Sequence, residues 1–180
     1  STSEIYAGSE SHKLIKIPTK EESIISLPSL FEARTSYMLS KIYSEYLLIQ
    51  SSLPYVIVRF HNIYGPRMGM SHVIPELIKK LNSKNLKKIL IPNYSHTRSF
   101  CYIDDCISQI IKLMNTRKIN LIVNCGNNKE EISIYKLASK IKSLVKSKNK
   151  IVKGNLYKDS PSRRSPNLSK LRKIIYINKF

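Results

Sequence analysis

The sequence predicts an α/β protein. Three observations carry that expectation. Short β-branched runs occur, such as Tyr55-Val-Ile-Val-Arg-Phe60 and Leu121-Ile-Val-Asn124. Between them lie longer stretches with apolar residues at helical spacing. Gly, Pro and Asn cluster at the junctions. Strands alternating with helices are the pattern of an α/β architecture.

Taken in order, residues 1–5 read as the end of a strand entering a loop. Residues 8–34 are polar, carry Pro18 and Pro28, and read as one long loop. Over 36–50, Tyr37, Met38, Ile42, Tyr46 and Ile49 fall at helical spacing, with Ser36 as the cap. Residues 55–60 form a buried strand, and Gly65, Pro66 and Gly69 mark the loop that follows. A helix is expected over 72–81, with Pro75 tolerated in its first turn. Strands follow at 88–91 and 98–103. The next helix, 104–114, has Asp104 and Asp105 at its positive end. A strand at 121–124 stops near Gly126. Ser133 caps a helix whose apolar face is Ile134, Leu137, Ala138, Ile141, Leu144 and Val145. Asn167 caps a last short helix.

Composition narrows the class. The 180 residues suffice for one core, and 42% hydrophobic with 24% charged residues is ordinary for a soluble globular chain. No apolar run reaches the ~20 residues of a membrane span, and residues 1–10 lack a signal-peptide core, so a cytoplasmic protein is expected. Cys101, Cys106 and Cys125 match no zinc spacing; buried free thiols in a reducing compartment are expected, and no metal site. Net charge is +19, and from Lys136 onward fourteen Lys/Arg face a single acidic residue, Asp159. Solvated surface accounts for most of these lysines. A basic nucleic-acid-binding module is the alternative, but no stacking aromatic pattern accompanies the charge, so a nucleic-acid partner is not expected.

Tyr37 and Lys41 lie four apart, hence on one helix face. An ammonium beside a phenol favours phenolate, a base able to take a proton from a hydroxyl group. With 11 Tyr and 23 Lys in the chain, about 1.4 such pairs arise by chance, so the pair alone carries little. Its weight comes from what surrounds it: Ser1-Thr-Ser-Glu-Ile-Tyr6; Arg59-Phe-His-Asn62 at a strand end; Thr97-Arg-Ser-Phe-Cys-Tyr-Ile-Asp-Asp105; and Arg163-Arg-Ser-Pro-Asn167.

This ordered set resembles the extended short-chain dehydrogenase/reductases: nucleotide-sugar epimerases, 4,6-dehydratases and UDP-glucuronate decarboxylases. The resemblance implies the C-terminal part of an NAD(P)-binding Rossmann-like fold with a small mixed substrate-binding subdomain. Residues 1–65 would end the Rossmann sheet and carry the catalytic helix, and 66–180 would mainly bind substrate, the whole forming a single partial domain. It implies NAD rather than NADP, a nucleotide-diphosphate sugar as substrate, and a homodimer. Tyr37 would be the base and Lys41 its partner and a ligand of the nicotinamide ribose. Thr2 and Ser3 would bond the sugar 4-hydroxyl, and Glu4 would be the acidic group of dehydratases and decarboxylases. Phe60 and His61 would face nicotinamide and sugar. Asn62, Arg98 and Arg164 would meet the diphosphate, and His72 and Val73 the nucleotide. The chemistry implied is oxidation at C4 to a 4-keto sugar, then epimerisation, dehydration or decarboxylation, then return of the hydride. A relative that binds nucleotide sugars without reacting is a further alternative, opposed by the intact Ser3, Glu4, Tyr37 and Lys41.

None of the five glycines forms the phosphate-binding turn expected of such a fold. About one hundred residues of cofactor domain would then precede this chain, which reads as a truncated fragment. The 180-residue chain alone is therefore expected to show no turnover. Incubation with NAD and a panel of UDP-, GDP- and dTDP-sugars, read by product mass, checks this; any conversion refutes it.

Overall fold

The computed structural model describes residues 1–157 and 160–176; Lys158, Asp159 and Lys179 of the basic tail lie outside them. In chain order the elements are a 3-10 turn (Ser3–Tyr6), α1 (Ala7–Ser11), α2 (Arg34–Gln50), β1 (Val56–Phe60), β2 (Ile63–Tyr64), α3 (Val73–Asn82), β3 (Lys88–Ile91), β4 (Thr97–Ser99), β5 (Cys101–Tyr102), α4 (Ile103–Met114), β6 (Leu121–Cys125), β7 (Glu131–Ser133), α5 (Ile134–Leu144), β8 (Lys150–Lys153), β9 (Arg163–Arg164) and α6 (Ser169–Ile174). The fold is α/β, as the alternation predicts.

The site is positioned by β1 and β6, which run parallel with Phe60 opposite Cys125. Leu113 of α4, Val123 of β6 and Leu171 of α6 bury one face of this pair. A second core lies under the other half of the chain. There Leu77 and Leu81 of α3 meet Ile134, Ala138 and Ile141 of α5 over Ile89 and Ile91 of β3, which pairs parallel with β8. Between them β4 pairs antiparallel with β7 and parallel with β9. Ser133 caps α5 as expected, its hydroxyl accepting the Lys136 N–H. Cys101, Cys106 and Cys125 are buried free thiols forming one small cluster.

Several local expectations are corrected. The opening strand survives only as a bridge of Thr2 to Phe60. The chain then turns because Thr2 Oγ1 accepts the Glu4 N–H and starts the 3-10 turn. The loop after residue 8 is interrupted by α1, and its later part packs on Gly8, where a Cβ would lie 2.0 Å from the Ser26 carbonyl oxygen. Ser36 is no cap: α2 starts at Arg34, and Ser36 donates back to the Ala33 carbonyl. The strand expected over 98–103 breaks at Phe100, which turns toward the cleft described below. Asn167 lies one residue before the α6 cap position, Leu168, yet accepts the Ser169 N–H. Short strands β2, β7, β8 and β9 carry too few residues for a periodic signal and exist because a partner strand supplies their hydrogen bonds.

One buried network ties the opening turn to the sheet. Arg59 on β1 is 3% exposed. It donates twice to Glu45 of α2, at 3.0 and 2.7 Å, and to Tyr6 Oη at 2.7 Å and the Glu21 carbonyl at 2.8 Å. Burial pushes the Tyr6 phenol up to about 12 despite Arg59 beside it. Glu45→Ala would leave Arg59 buried and unpaired; a loss of about 3–5 kcal/mol in urea denaturation is expected.

Candidate active site

The turn after Thr2 aims Thr2, Ser3 and Glu4 at the same space that Tyr37 reaches from α2. With Phe60, Asn62, His72 and Val73 they line a cleft of about 600 Å³. It runs on into a second hollow of about 460 Å³ that shares Arg34, Asn62, His72, Val73 and Phe100 and adds Arg98, Tyr157 and Ser160. Nine sequence-selected residues therefore fall on one continuous trough. Tyr37 is half exposed there. The Lys41 ammonium lies 5.5 Å from its ring centroid, and Lys41 lines a smaller adjoining hollow with Ser1, Ser44 and Val56. Asn62 adopts φ 45°, a left-handed conformation that Asn tolerates better than most residues, and donates to the Ser99 carbonyl. The turn geometry thus holds its side chain at the junction of the two hollows.

Glu4 is the electrostatic centre. One carboxylate oxygen accepts from Arg164 at 2.5 Å and the other from Arg34 at 2.7 Å. Burial alone would raise its pKa, but Arg164 and Arg34 together hold it below the usual carboxylate range. Arg164 also donates to Glu10 at 2.8 Å, whose carboxyl is pushed upward by burial despite that partner. Arg98 donates to the Thr97 carbonyl and to Ser160 Oγ. Among the described residues it makes no ion pair. Burial and the nearby Arg164 lower it to about 10. Glu76 also lines the second hollow but is paired with Lys80, so Arg98 is left as a cation suited to an anionic ligand.

Two expected site residues lie elsewhere. His61 is fully buried, its Nε2 3.1 Å from Asn124 Oδ1; the strand alternation that points Phe60 and Asn62 at the trough turns His61 inward. Arg164 is 3% exposed and saturated by Glu4 and Glu10, so it braces Glu4 from behind and lines neither hollow. The sequence reading also missed Arg34, which lines both. Its spacing, three before Tyr37 on one helix face, was the available signal. Glu10 carried none, because only the fold brings it to Arg164.

A match to the NAD dependent epimerase/dehydratase family covers residues 1–126. The chain belongs to that family. It is 30% identical over 97% of its length to a UDP-N-acetyl-alpha-D-glucosaminuronate decarboxylase of Bacillus cytotoxicus, of which it covers 56%. It is 28% identical over 97% of its length to UDP-glucuronic acid decarboxylase 6 of Arabidopsis thaliana, covering 50% of that protein. Among solved structures, the Bordetella bronchiseptica enzyme WbmG, in complex with NAD and UDP, matches all of this chain and 53% of its own, with a TM-score of 0.82 at 20% identity. UDP-glucuronic acid 4-epimerase of Bacillus cereus matches 99% of this chain and 54% of its own, with a TM-score of 0.74 at 24% identity. The structural likenesses establish the Rossmann-like fold. The chain spans about half the length of the curated relatives it matches.

Burial, partly offset by the bond to Asn124, drives the His61 pKa down from 6.5 to about 3. Unfolded His61 takes up a proton as pH falls through 6.5, whereas folded His61 does so only near 3, so its contribution to stability is present above 6.5 and lost below. Between pH 7 and 5 this costs about 2 kcal/mol. Urea denaturation of wild type against His61→Gln isolates the effect from Glu10, whose raised pKa acts in the opposite direction. The wild type should lose more stability on acidification than the variant.

Proposed function

We propose that this chain is the catalytic and substrate-binding part of an enzyme that modifies a nucleotide-diphosphate sugar through a 4-keto intermediate, with a sugar acid as substrate and decarboxylation as the outcome. The observation that carries the reading is the convergence of Thr2, Ser3, Glu4, Tyr37, Asn62 and Arg98 on one trough. Tyr37 would take the C4 hydroxyl proton, with Ser3 or Thr2 hydrogen-bonding the same oxygen. Tyr37, Lys41 and Phe60 fit the nicotinamide-ribose end of NAD, because the Lys41 ammonium and the half-exposed phenol share one face beside Phe60. When bound, NAD supplies a hydride acceptor that is regenerated in each turnover. Arg98, unpaired among the described residues, would hold the diphosphate, and His72 and Val73 at the start of α3 would meet the nucleotide.

The choice of outcome rests on Glu4. Dehydration needs an acid to protonate the departing C6 hydroxyl, and a carboxylate pinned ionised by two arginines is a poor one. Loss of CO2 from C6 needs no such acid, because the electron pair left at C5 delocalises onto the C4 ketone. Arg34 at the mouth is placed to attract a C6 carboxylate. The decarboxylases among the relatives support this reading, and the 4-epimerase structures leave epimerisation as the second outcome. The solvent face of α2, with Tyr43, Tyr46 and Leu47 about half exposed, is the surface on which the expected homodimer would form. A reducing, cytoplasmic setting suits the three buried thiols. No helix among the described residues is long and apolar enough to cross a membrane.

The test uses the protein as its gene encodes it, including any residues before Ser1, with NAD and UDP-, GDP- and dTDP-sugars and their uronates. Products read by mass separate loss of CO2, loss of water and no change; loss of CO2 from a uronate is expected. Tyr37→Phe should lower turnover by about 10²- to 10⁴-fold, and full retained rate would remove Tyr37 as the base.

A further inference from the structure

A further hollow of about 640 Å³ shares no lining residue with this trough. Its wall is α5 and the turn into β8. Tyr94 and Tyr135 stack across it with ring centroids 4.5 Å apart and planes 25° from parallel, fixed by the Tyr135 N–H donating to the Tyr94 carbonyl. Lys142, Lys146 and Lys150 line the same hollow with serines between them, and no carboxylate does. None of the three lysines makes an ion pair among the described residues. Beyond the hollow the positive track continues, because strand register sets Lys88 beside Lys150. Like charges side by side repel and cost stability unless an anion lies over them.

We propose that this hollow binds single-stranded nucleic acid. The lysines would follow consecutive phosphates while a base extends the tyrosine stack on the outer face of Tyr135, which is 39% exposed. Charge alone would suit any polyanion; the stacked pair selects one with free aromatic faces. A duplex keeps its bases stacked inside, and a lipid headgroup offers no ring to stack. The site is independent of the nucleotide-sugar trough and stands or falls separately from it.

Fluorescence anisotropy of the protein as its gene encodes it, with a labelled oligothymidylate of about twelve nucleotides, tests this at about 50 to 200 mM salt. Binding should weaken with salt by about 0.7 log unit per log unit for each phosphate neutralised. The combined variant Lys142→Gln, Lys146→Gln, Lys150→Gln should flatten that slope by about two. The same charge removed at Lys13, Lys16 and Lys20 should leave it nearly unchanged. Tyr135→Ala should bind about five- to a hundredfold more weakly, whereas Tyr135→Phe, which keeps the stacking face, should bind as wild type does. The proposal is overturned by absent binding at low salt, by Tyr135→Ala binding as tightly as Tyr135→Phe, or by equal losses in the two lysine variants. Binding to phosphatidylserine vesicles without binding to the oligonucleotide also overturns it.

Discussion

The guanidinium of Arg164 sits between Glu4 and Glu10, sealed from water, and the candidate site is built outward from it. Burying a guanidinium is costly, and the cost is offset only when carboxylates meet it in good geometry. Here they come from the opening turn and from α1, so the strand that carries Arg164 near the end of the chain cannot dock without the first ten residues in place. Glu4 spends one oxygen on this anchor and offers the other to Arg34 at the mouth of the trough. A residue at the base of the site thereby sets both the orientation and the charge of the group that faces the ligand.

Arg59 plays the corresponding part under the sheet. It joins β1 to α2 through Glu45 and to the opening turn through Tyr6, while Asn124 accepts from Tyr6 and lies against His61. These two networks take Glu4, Glu10, Glu21 and Glu45 out of the twelve acidic residues of the chain. Acidic groups are thus drawn toward the interior, while Lys142 of α5 and Lys150 of β8 make no ion pair among the described residues. Composition alone sets the net charge of +19; the burial of these carboxylates decides where on the surface the excess shows.

Much of the fold was legible because it is local. The β3 strand falls at 88–91 as expected, α3 at Val73–Asn82 and α5 at Ile134–Leu144, each within one or two residues. Their periodicity and caps lie within a dozen contiguous residues. The trough was largely legible too, since Thr2 to Glu4, Tyr37, Asn62 and Arg98 each stand at the end or on the face of a recognisable element. His61 was misplaced because alternation along a strand sends neighbours to opposite faces, and its sequence neighbours alone could not say which face was buried.

By itself, then, the sequence determined the α/β alternation, the Tyr37 and Lys41 pair on one helix face, and the family to which the chain belongs. Tertiary structure alone decided that Arg164 is a brace inside the protein, that Arg34 stands at the mouth, and that Tyr94 and Tyr135 stack. The reason is one of range. Periodicity is written in residues a few positions apart, whereas a buried ion pair or a ring stack joins groups whose partners are chosen only when distant segments close and water leaves between them.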